Sequence, residues 1–117
     1  MQVPGDEAQL ARAVGNLLDN AVRHARGTVT VTLDCAAEGA AVLTVVDDGP
    51  GIPPEAREFV FERFTRLDDA RSAGDGGAGL GLAIAREIAE RHGGTLTLAA
   101  NGTSGARFVL RLPFQPR

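Results

Sequence analysis

VVDDGPGIP, at residues 45–53, says most about how this chain folds, because two opposite tendencies meet in it. β-Branched residues favour a strand, whereas Asp, Gly and Pro favour turns and interrupt strands. Residues 41–46 are therefore predicted to form a strand, and residues 47–54 a loop that begins at its end. The strand thus delivers Asp47 into a glycine-containing turn.

Upstream of this segment, the sequence predicts a second strand and a helix. β-Branched residues alternate over residues 28–35, which is typical of a half-buried strand, and a turn at residues 38–39 predicts that the two strands pair as a hairpin. Before them, residues 6–25 carry apolar side chains at helical spacing. Asp6 is followed three residues later by Gln9, a pattern that resembles a capping box at the helix start.

Downstream, the chain alternates between helical and glycine-rich segments. A short helical stretch is expected around residues 54–64. Residues 66–79 have almost no apolar side chains and are rich in glycine and alanine near their end, which indicates a mobile lid. Residues 80–92 return to helical spacing, and Gly93 and Gly94 are expected to end this helix as a glycine C-cap.

Two further strands complete the pattern, at residues 95–100 and 106–112, with Pro113 as a stop. The order is helix, two strands, loop and lid, helix, two strands. Helices over one face of a mixed or antiparallel sheet bury the apolar faces most simply, so we expect an α+β fold, a two-layer α/β sandwich. A length of 117 residues predicts that residues 1–117 form a single domain.

Composition excludes several classes of function. The formal net charge of −3 offers no basic field for a nucleic-acid backbone, so no nucleic-acid partner is expected. All 12 basic residues are arginine, which excludes the lysine-dependent P-loop. Cys35 is the single cysteine, which excludes an internal disulfide and a cysteine-rich metal site. No apolar run approaches the roughly 20 residues that span a bilayer, so this segment is expected to make no membrane contact.

A polar stripe runs along the first predicted helix. Asn16, Asn20 and His24 lie four residues apart and so share one surface of the helix. Asparagine is a mediocre helix former, and two in line suggest that their carbonyl oxygens coordinate a hard cation. A solvated helix face is the alternative interpretation.

The turn after the strand is the second candidate element. The Asp47 carboxylate is placed to accept a hydrogen bond from an exocyclic amine. Gly49 and Gly51 lack a Cβ and so let a flat ligand approach the backbone. Asp and Gly are also the commonest turn formers, so an ordinary turn is the alternative.

A third candidate element precedes the second predicted helix. Gly77, Gly79 and Gly81 run into the helix start, where free N–H groups favour phosphate oxygens. Gly74, Gly76 and Gly79 also match the GxGxxG pattern of dinucleotide-binding proteins. That interpretation fails, because no strand precedes these glycines and no acidic residue follows at the right distance.

In this order and with these separations, the three elements resemble the GHKL superfamily, also called the Bergerat ATP-binding fold. The superfamily includes gyrase-type ATPases, large heat-shock chaperones, mismatch-repair ATPases and histidine kinases. NLLDNAVRHA resembles the N box, DDGPGIP the first glycine box, FERFTR the F box and GAGLGLAIAREIAERHGG the second glycine box. The resemblance covers nearly the whole chain and implies ATP and Mg²⁺ as cofactors.

The resemblance also implies roles for individual residues. Asn20 would ligate magnesium with help from Asn16, and Asp47 would recognise the adenine amino group. Arg66 matches the F-box arginine near the γ-phosphate, so Asn16, Asn20 and Arg66 would be the catalytic residues. Phe61 and Phe64 resemble the F-box aromatics, for which packing at the base of the lid is expected and direct contact with the ligand is the alternative. The other residues assigned to the nucleotide site are Arg23, His24, Gly49, Gly51, Ile52, Phe64, Gly77, Gly79, Leu80, Gly81 and Leu82.

Within the superfamily, the resemblance favours the histidine kinases. ATP-hydrolysing relatives carry a Glu general base where this chain has Asn16, and an amide does not take a proton at neutral pH. The implied reaction transfers the ATP γ-phosphoryl group to a histidine imidazole, which is already nucleophilic. Neither histidine of this chain is expected to accept it, because His24 lies in the N box and His92 is expected to contact a helix C-terminal dipole. Little activity is expected from this segment alone.

The resemblance implies partners outside this chain. These are a phosphoacceptor histidine domain of the same parent protein and, indirectly, a response regulator. The expected location is cytoplasmic, with a parent protein anchored in the bacterial cell membrane. Two alternatives stay open: a non-catalytic module that senses ATP or docks a partner, and a GHKL-type ATPase that hydrolyses ATP.

Overall fold

The computed structural model describes residues 5–36, 39–52, 59–61, 81–99 and 105–113. The elements in this part of the chain are α1 (Glu7–His24), β1 (Val29–Ala36), β2 (Ala40–Asp47), a 3₁₀ turn (Phe59–Phe61), α2 (Gly81–Arg91), β3 (Thr95–Ala99) and β4 (Arg107–Pro113).

Each of the two predicted helices and four predicted strands is present, and its ends agree with the prediction to within one residue. The prediction of a short helix around residues 54–64 is tested only at residues 59–61, which form the 3₁₀ turn. The predicted lid, residues 66–79, lies outside the described residues.

The four strands form one antiparallel sheet in the order β1-β2-β4-β3. The predicted hairpin is confirmed, since β1 pairs with β2 from Val29 opposite Asp47 to Ala36 opposite Ala40. A second hairpin joins β3 and β4, and β4 also pairs with β2, so the two hairpins meet at the centre of the sheet. The structure thus confirms the α+β fold and, of the two sheet types expected, selects the antiparallel one.

Both helices pack on one face of the sheet, and the core lies between the two layers. Alternate residues of a strand point to the same face, so Val45 in β2 and its partner Phe108 in β4 share this core face. Other buried residues in the same cluster are Ala13, Leu17, Ala21, Ala85, Ile88, Ala89, Leu96, Leu110 and Leu112. The polar side chains of the first predicted helix are thereby restricted to the other surfaces of α1.

The start of α1 is capped from two directions. The Asp6 carboxylate accepts a hydrogen bond from the Gln9 N–H at 3.1 Å, which is the first half of the predicted capping box. The second half differs from the prediction, because the Asp6 N–H donates to Nε2 of His92 at 3.0 Å rather than to the Gln9 side chain. This contact joins residues that are 86 positions apart, which is why the local pattern did not reveal it.

The predicted glycine C-cap of α2 is confirmed. Gly93 has a φ of 80°, in the left-handed region that glycine tolerates. The Gly94 N–H donates to the Ala89 carbonyl at 2.8 Å and the Gly93 N–H to the Glu90 carbonyl at 3.1 Å, the pair of bonds that defines a Schellman motif. Nδ1 of His92 donates to the Ile88 carbonyl at 2.8 Å, so the expected contact between His92 and the helix C-terminus is also present.

The prediction that β1 is half-buried is wrong. Val31 and Leu33 face the same side of the sheet as the core, yet they are 49% and 60% exposed. The reason is position: β1 is an edge strand, and α1 packs over β2 and against α2 instead of covering β1. Cys35 lies in this strand and is exposed. The alternation of β-branched residues predicted that this segment is a strand, but it did not predict how far the strand is exposed.

Candidate functional site

Asp47 is the last residue of β2 and, among the described residues, the single buried polar or charged one, with a relative exposure of 3%. The pleat explains its burial, because Asp47 lies two residues after Val45 and so shares the core face. Its Oδ1 accepts hydrogen bonds from the N–H groups of Gly49 at 2.8 Å and Ala106 at 3.4 Å. A buried carboxylate held by backbone donors at a strand end is suited to receive a ligand donor.

Gly49 and Gly51 are required by protein packing. A Cβ on Gly49 would overlap the backbone carbonyl oxygen of His24, at the end of α1. Gly51 has a φ of 81°, and a Cβ there would lie 2.9 Å from the carbonyl oxygen of Gly105. The loop after β2 therefore approaches α1 on one side and the start of β4 on the other. Their contact with a flat ligand stays a prediction.

Asp48 anchors the same loop and was given no role by the sequence. Its Oδ1 accepts hydrogen bonds from the N–H groups of Arg26 at 2.7 Å and Gly27 at 3.0 Å, while its own N–H donates to the Thr28 carbonyl at 3.2 Å. Backbone N–H groups of Gly27 and Thr28 lower the pKa of the Asp48 carboxyl, partial desolvation opposes them, and Arg26 lowers it further. The negative charge of Asp48 is therefore stabilised by this geometry.

Asn16 links α1 to the start of α2. Its side-chain amide donates to the carbonyl of Gly81, the first residue of α2, at 3.1 Å. A Cβ on Gly81 would sit 3.9 Å from the Asn16 side chain, an ordinary van der Waals distance, so this contact does not itself require glycine. Asn16 and Gly81, assigned to different sequence boxes, are therefore in direct contact.

The other predicted site residues within the described ranges lie on α1, on α2 and in the loop after β2. Asn20 is half-buried, one turn after Asn16, and Arg23 and His24 are exposed in the last turn of the helix. Ile52 and Leu82 are half-buried and pack against the hydrophobic core. Both therefore have a packing role, and their contact with nucleotide stays a prediction.

Five predicted site residues lie outside the described residues: Phe64, Arg66, Gly77, Gly79 and Leu80. Of the two F-box aromatics, Phe61 is buried in the hydrophobic core, while its predicted place at the base of the lid stays a prediction because the lid lies outside the described residues. Its ring meets Phe108 edge to face, with centroids 6.0 Å apart, and the Arg86 guanidinium lies 4.6 Å from its centroid.

Three separated segments of the sequence thus meet along α1. The loop after β2 contacts its last turn through Gly49 and His24, and α2 contacts its middle through Gly81 and Asn16. Eight residues separate the two contacts, which is about 12 Å along a helix. The hypothesis that these motifs build one site required this convergence.

Sequence reasoning missed Asp48, Ala106 and the Gly105 approach. The two adjacent acidic residues could have indicated a separate role for Asp48. Consecutive side chains of a strand point to opposite faces, so Asp47 and Asp48 are expected to contact different parts of the protein. Ala106 carried no signal, since it contributes only its backbone N–H.

The described ranges contain no helix that combines the length and the apolar character needed to cross a bilayer.

Comparison with known proteins assigns the chain to a family. The sequence profile of the histidine kinase-, DNA gyrase B- and HSP90-like ATPases matches residues 5–116. The chain is 45% identical over 111 residues to the sensor histidine kinase RppB of Synechocystis sp., which covers 93% of this chain and 24% of that protein. It is 46% identical over 115 residues to the sensor protein kinase CarS of Pseudomonas aeruginosa, covering 98% of this chain and 25% of that protein. The chain therefore spans about a quarter of the length of these relatives.

Solved structures of sensor histidine kinases and related proteins are similar to this fold. The mycobacterial sensor histidine kinase MprB superimposes with a TM-score of 0.84 at 40% identity, over 98% of this chain and 76% of that one. Full-length ShkA in complex with AMPPNP superimposes with a TM-score of 0.84 at 32% identity, over 100% of this chain and 24% of that one.

Proposed function

The chain belongs to the family of histidine kinase-, DNA gyrase B- and HSP90-like ATPases, and from this membership we propose that it binds Mg-ATP and donates the γ-phosphoryl group to a histidine on a separate phosphoacceptor domain. The observation that carries this proposal is that three separated segments meet: Gly49 of the loop after β2 contacts His24 of α1, and Gly81 of α2 contacts Asn16 of α1.

The two ends of the site suit the two ends of ATP. At the β2 end, both hydrogen bonds that Asp47 accepts within the described residues terminate on Oδ1, which leaves Oδ2 for the adenine amino group. At the other end, Gly81 opens α2, and N–H groups at a helix start favour phosphate oxygens. Gly77, Gly79 and Arg66 would add phosphate contacts there.

Asn20, supported by Asn16, would hold the magnesium ion. The described residues contain no group of three or more His, Cys, Asp or Glu side chains that forms a self-sufficient metal cage. Magnesium fits such a place, because it is commonly bound by one or two protein oxygens together with phosphates and water. When bound, the ion would neutralise charge on the β- and γ-phosphates.

Phosphoryl transfer, rather than hydrolysis, fits the chemistry of Asn16. The Asn16 amide is a donor to the Gly81 carbonyl, whereas an ionised Glu would present acceptors to that oxygen. With no general base at this position, water activation is disfavoured. Catalysis then rests on holding the phosphates in place and neutralising their charge, since an imidazole nucleophile needs little activation.

The acceptor histidine and the location follow from the same assignment. The relatives are sensor kinases about four times as long as the matched region, which leaves room for an acceptor domain and a membrane anchor. We place this chain in the cytoplasm, where ATP is available, as part of a parent anchored in the bacterial membrane. A response regulator would take the phosphoryl group from the acceptor histidine.

A phosphotransfer assay tests the proposal. The chain is mixed with [γ-³²P]ATP, Mg²⁺ and the separately produced acceptor domain of its parent. Label should appear on the acceptor domain, survive alkali and be lost in acid, as a phosphoramidate requires. An acceptor domain with its histidine replaced by alanine is the matched control.

Other results of this assay would point to the alternatives. ATP binding without label above the control would make the chain an ATP-sensing or docking module. Steady phosphate release by the chain alone, at a rate unaffected by the acceptor domain, would make it a hydrolysing ATPase.

Asn20→Ala should weaken nucleotide binding in a magnesium-dependent manner. Loss of one ligand oxygen is expected to cost about 1 kcal/mol, or roughly fivefold in Kd, with Mg²⁺ present. Calorimetry with ATP in Mg²⁺ and in EDTA measures this, and Asp19→Ala, an exposed neighbour on α1, is the matched control. Equal losses with and without EDTA would assign Asn20 a purely structural role.

A further inference from the structure

Asp48 connects the loop after β2 to the turn after α1, two parts of the proposed site that the pairing of the strands alone does not connect. Its carboxylate binds the backbone of Arg26 and Gly27, and its N–H binds the carbonyl of Thr28. These three residues belong to the turn, residues 25–28, between the end of α1 at His24 and the start of β1 at Val29. The pairing of β1 with β2 holds the strands together, but residues 26–28 precede the paired residues and are held by Asp48.

The neighbouring residue, Gly49, allows the same loop to approach α1 closely. Gly49 lies so close to the backbone carbonyl of His24 that a Cβ would overlap it. Asp48 therefore fastens the loop after β2 to the turn that follows α1, and Gly49 lets the loop lie directly against the last residue of α1. Hydrogen bonds from backbone N–H groups to a carboxylate are charge-assisted and directional, so they set both distance and orientation.

We propose that Asp48 is a positioning residue that fixes the separation between Asp47, at the adenine end of the site, and Asn20, at the magnesium end. This inference rests on the proposed function. Asp47 precedes Asp48 directly, and Asn20 lies one turn before His24 on α1. Asp48 touches neither nucleotide nor metal; it holds the two groups that do at the spacing that one ATP molecule requires.

Two ligands separate positioning from general destabilisation. Adenosine occupies only the adenine end, whereas Mg-ATP must occupy both ends at once. If Asp48 sets their spacing, its removal weakens Mg-ATP binding and spares adenosine. A variant that merely unfolds a fraction of the protein weakens both ligands by the same factor.

Asp48→Ala is expected to raise the Kd for Mg-ATP by about tenfold, within the usual range for coupled sites, and the Kd for adenosine by less than about twofold. Asp48→Asn keeps an oxygen at the Oδ1 position for Arg26 and Gly27 but loses the charge, so the same selective loss should be smaller. It also provides the test if Asp48→Ala does not fold. Asp34→Ala, an exposed carboxylate on β1, is the matched control and should change neither Kd.

Binding is measured by calorimetry for Mg-ATP and by competition for adenosine. Equal losses for the two ligands, or no loss in either variant, would overturn the positioning role while leaving the proposed function intact. Failure of the unmodified chain to bind Mg-ATP would overturn the proposed function and this inference together.

Discussion

Asp47→Asn should weaken ATP binding by about 1–3 kcal/mol, or roughly 5- to 150-fold in Kd, while leaving the loop in place. Asparagine has the same shape and keeps an oxygen for the N–H groups of Gly49 and Ala106. Its NH₂ group, however, replaces Oδ2 and would face the adenine amino group. Both groups are hydrogen-bond donors, whereas Oδ2 of Asp47 is an acceptor. The loss of ATP affinity therefore reports on recognition of the adenine amino group and not on disruption of the loop.

A ligand lacking the amino group makes this test sharper. Purine riboside triphosphate differs from ATP in having hydrogen at position 6. The unmodified chain should bind it more weakly than ATP, whereas Asp47→Asn should bind the two ligands about equally, because the interaction has already been removed. Losses from the two changes that simply add would show that Asp47 does not contact the amino group.

Phe108→Ala should lower the free energy of unfolding by about 3–5 kcal/mol, the range for fully buried aromatic residues. The side chain is 0% exposed and is among the largest fully buried ones in the described residues. It packs between the sheet and the helices and meets Phe61 edge to face. Small domains are stable by only about 5–15 kcal/mol, so this change removes a large share of the total.

Urea unfolding followed by circular dichroism measures the loss. Val109→Ala, one residue further along β4 and on the opposite face of the sheet, is the matched control. Val109 is only half-buried, so its truncation should cost about 1 kcal/mol or less. A loss of similar size in both variants would mean that Phe108 does not occupy the centre of the core.

Phe61 links the helical layer and the sheet within the core. Arg86 of α2 lies over its ring, and Phe108 of β4 meets its edge. A cationic side chain over an aromatic face adds attraction beyond simple burial. The 3₁₀ turn that contains Phe61 is therefore held by both layers of the sandwich.

Local chemistry was sufficient to predict the elements of this fold. Hydrophobic spacing and end signals located both helices, because caps and apolar periodicity act over a few residues. Asp6 and Gly93 occupy the ends of α1 and α2 as predicted. The hairpin of β1 and β2 likewise follows from a short turn between alternating strands, which leaves the two strands little choice of neighbour.

Burial on the sheet was not predictable in the same way. β1 alternates like a half-buried strand, but six of its eight residues, Thr30 to Cys35, are exposed, and α1 packs over β2 instead. Whether a strand lies at an edge depends on which strands pair and on where the helices cross, and neither is encoded in the strand itself. The same limitation hid the contact of His92 with Asp6, since capping by a distant residue has no local pattern.

The sequence by itself determined the two helices, the four strands and the order of the site motifs, because each depends on interactions between residues close together in the chain. Only the tertiary structure decided that Asp47 is buried, that Asp48 accepts hydrogen bonds from the turn after α1, and that Asn16 contacts Gly81. Those contacts join segments 22 to 65 residues apart. Asn16 reaches Gly81 because α1 and α2 pack together on one face of the sheet, and Asp48 reaches the turn after α1 because β1 pairs with β2. The packing of the helices and the pairing of the strands, rather than any local preference, therefore set which backbone groups these side chains reach.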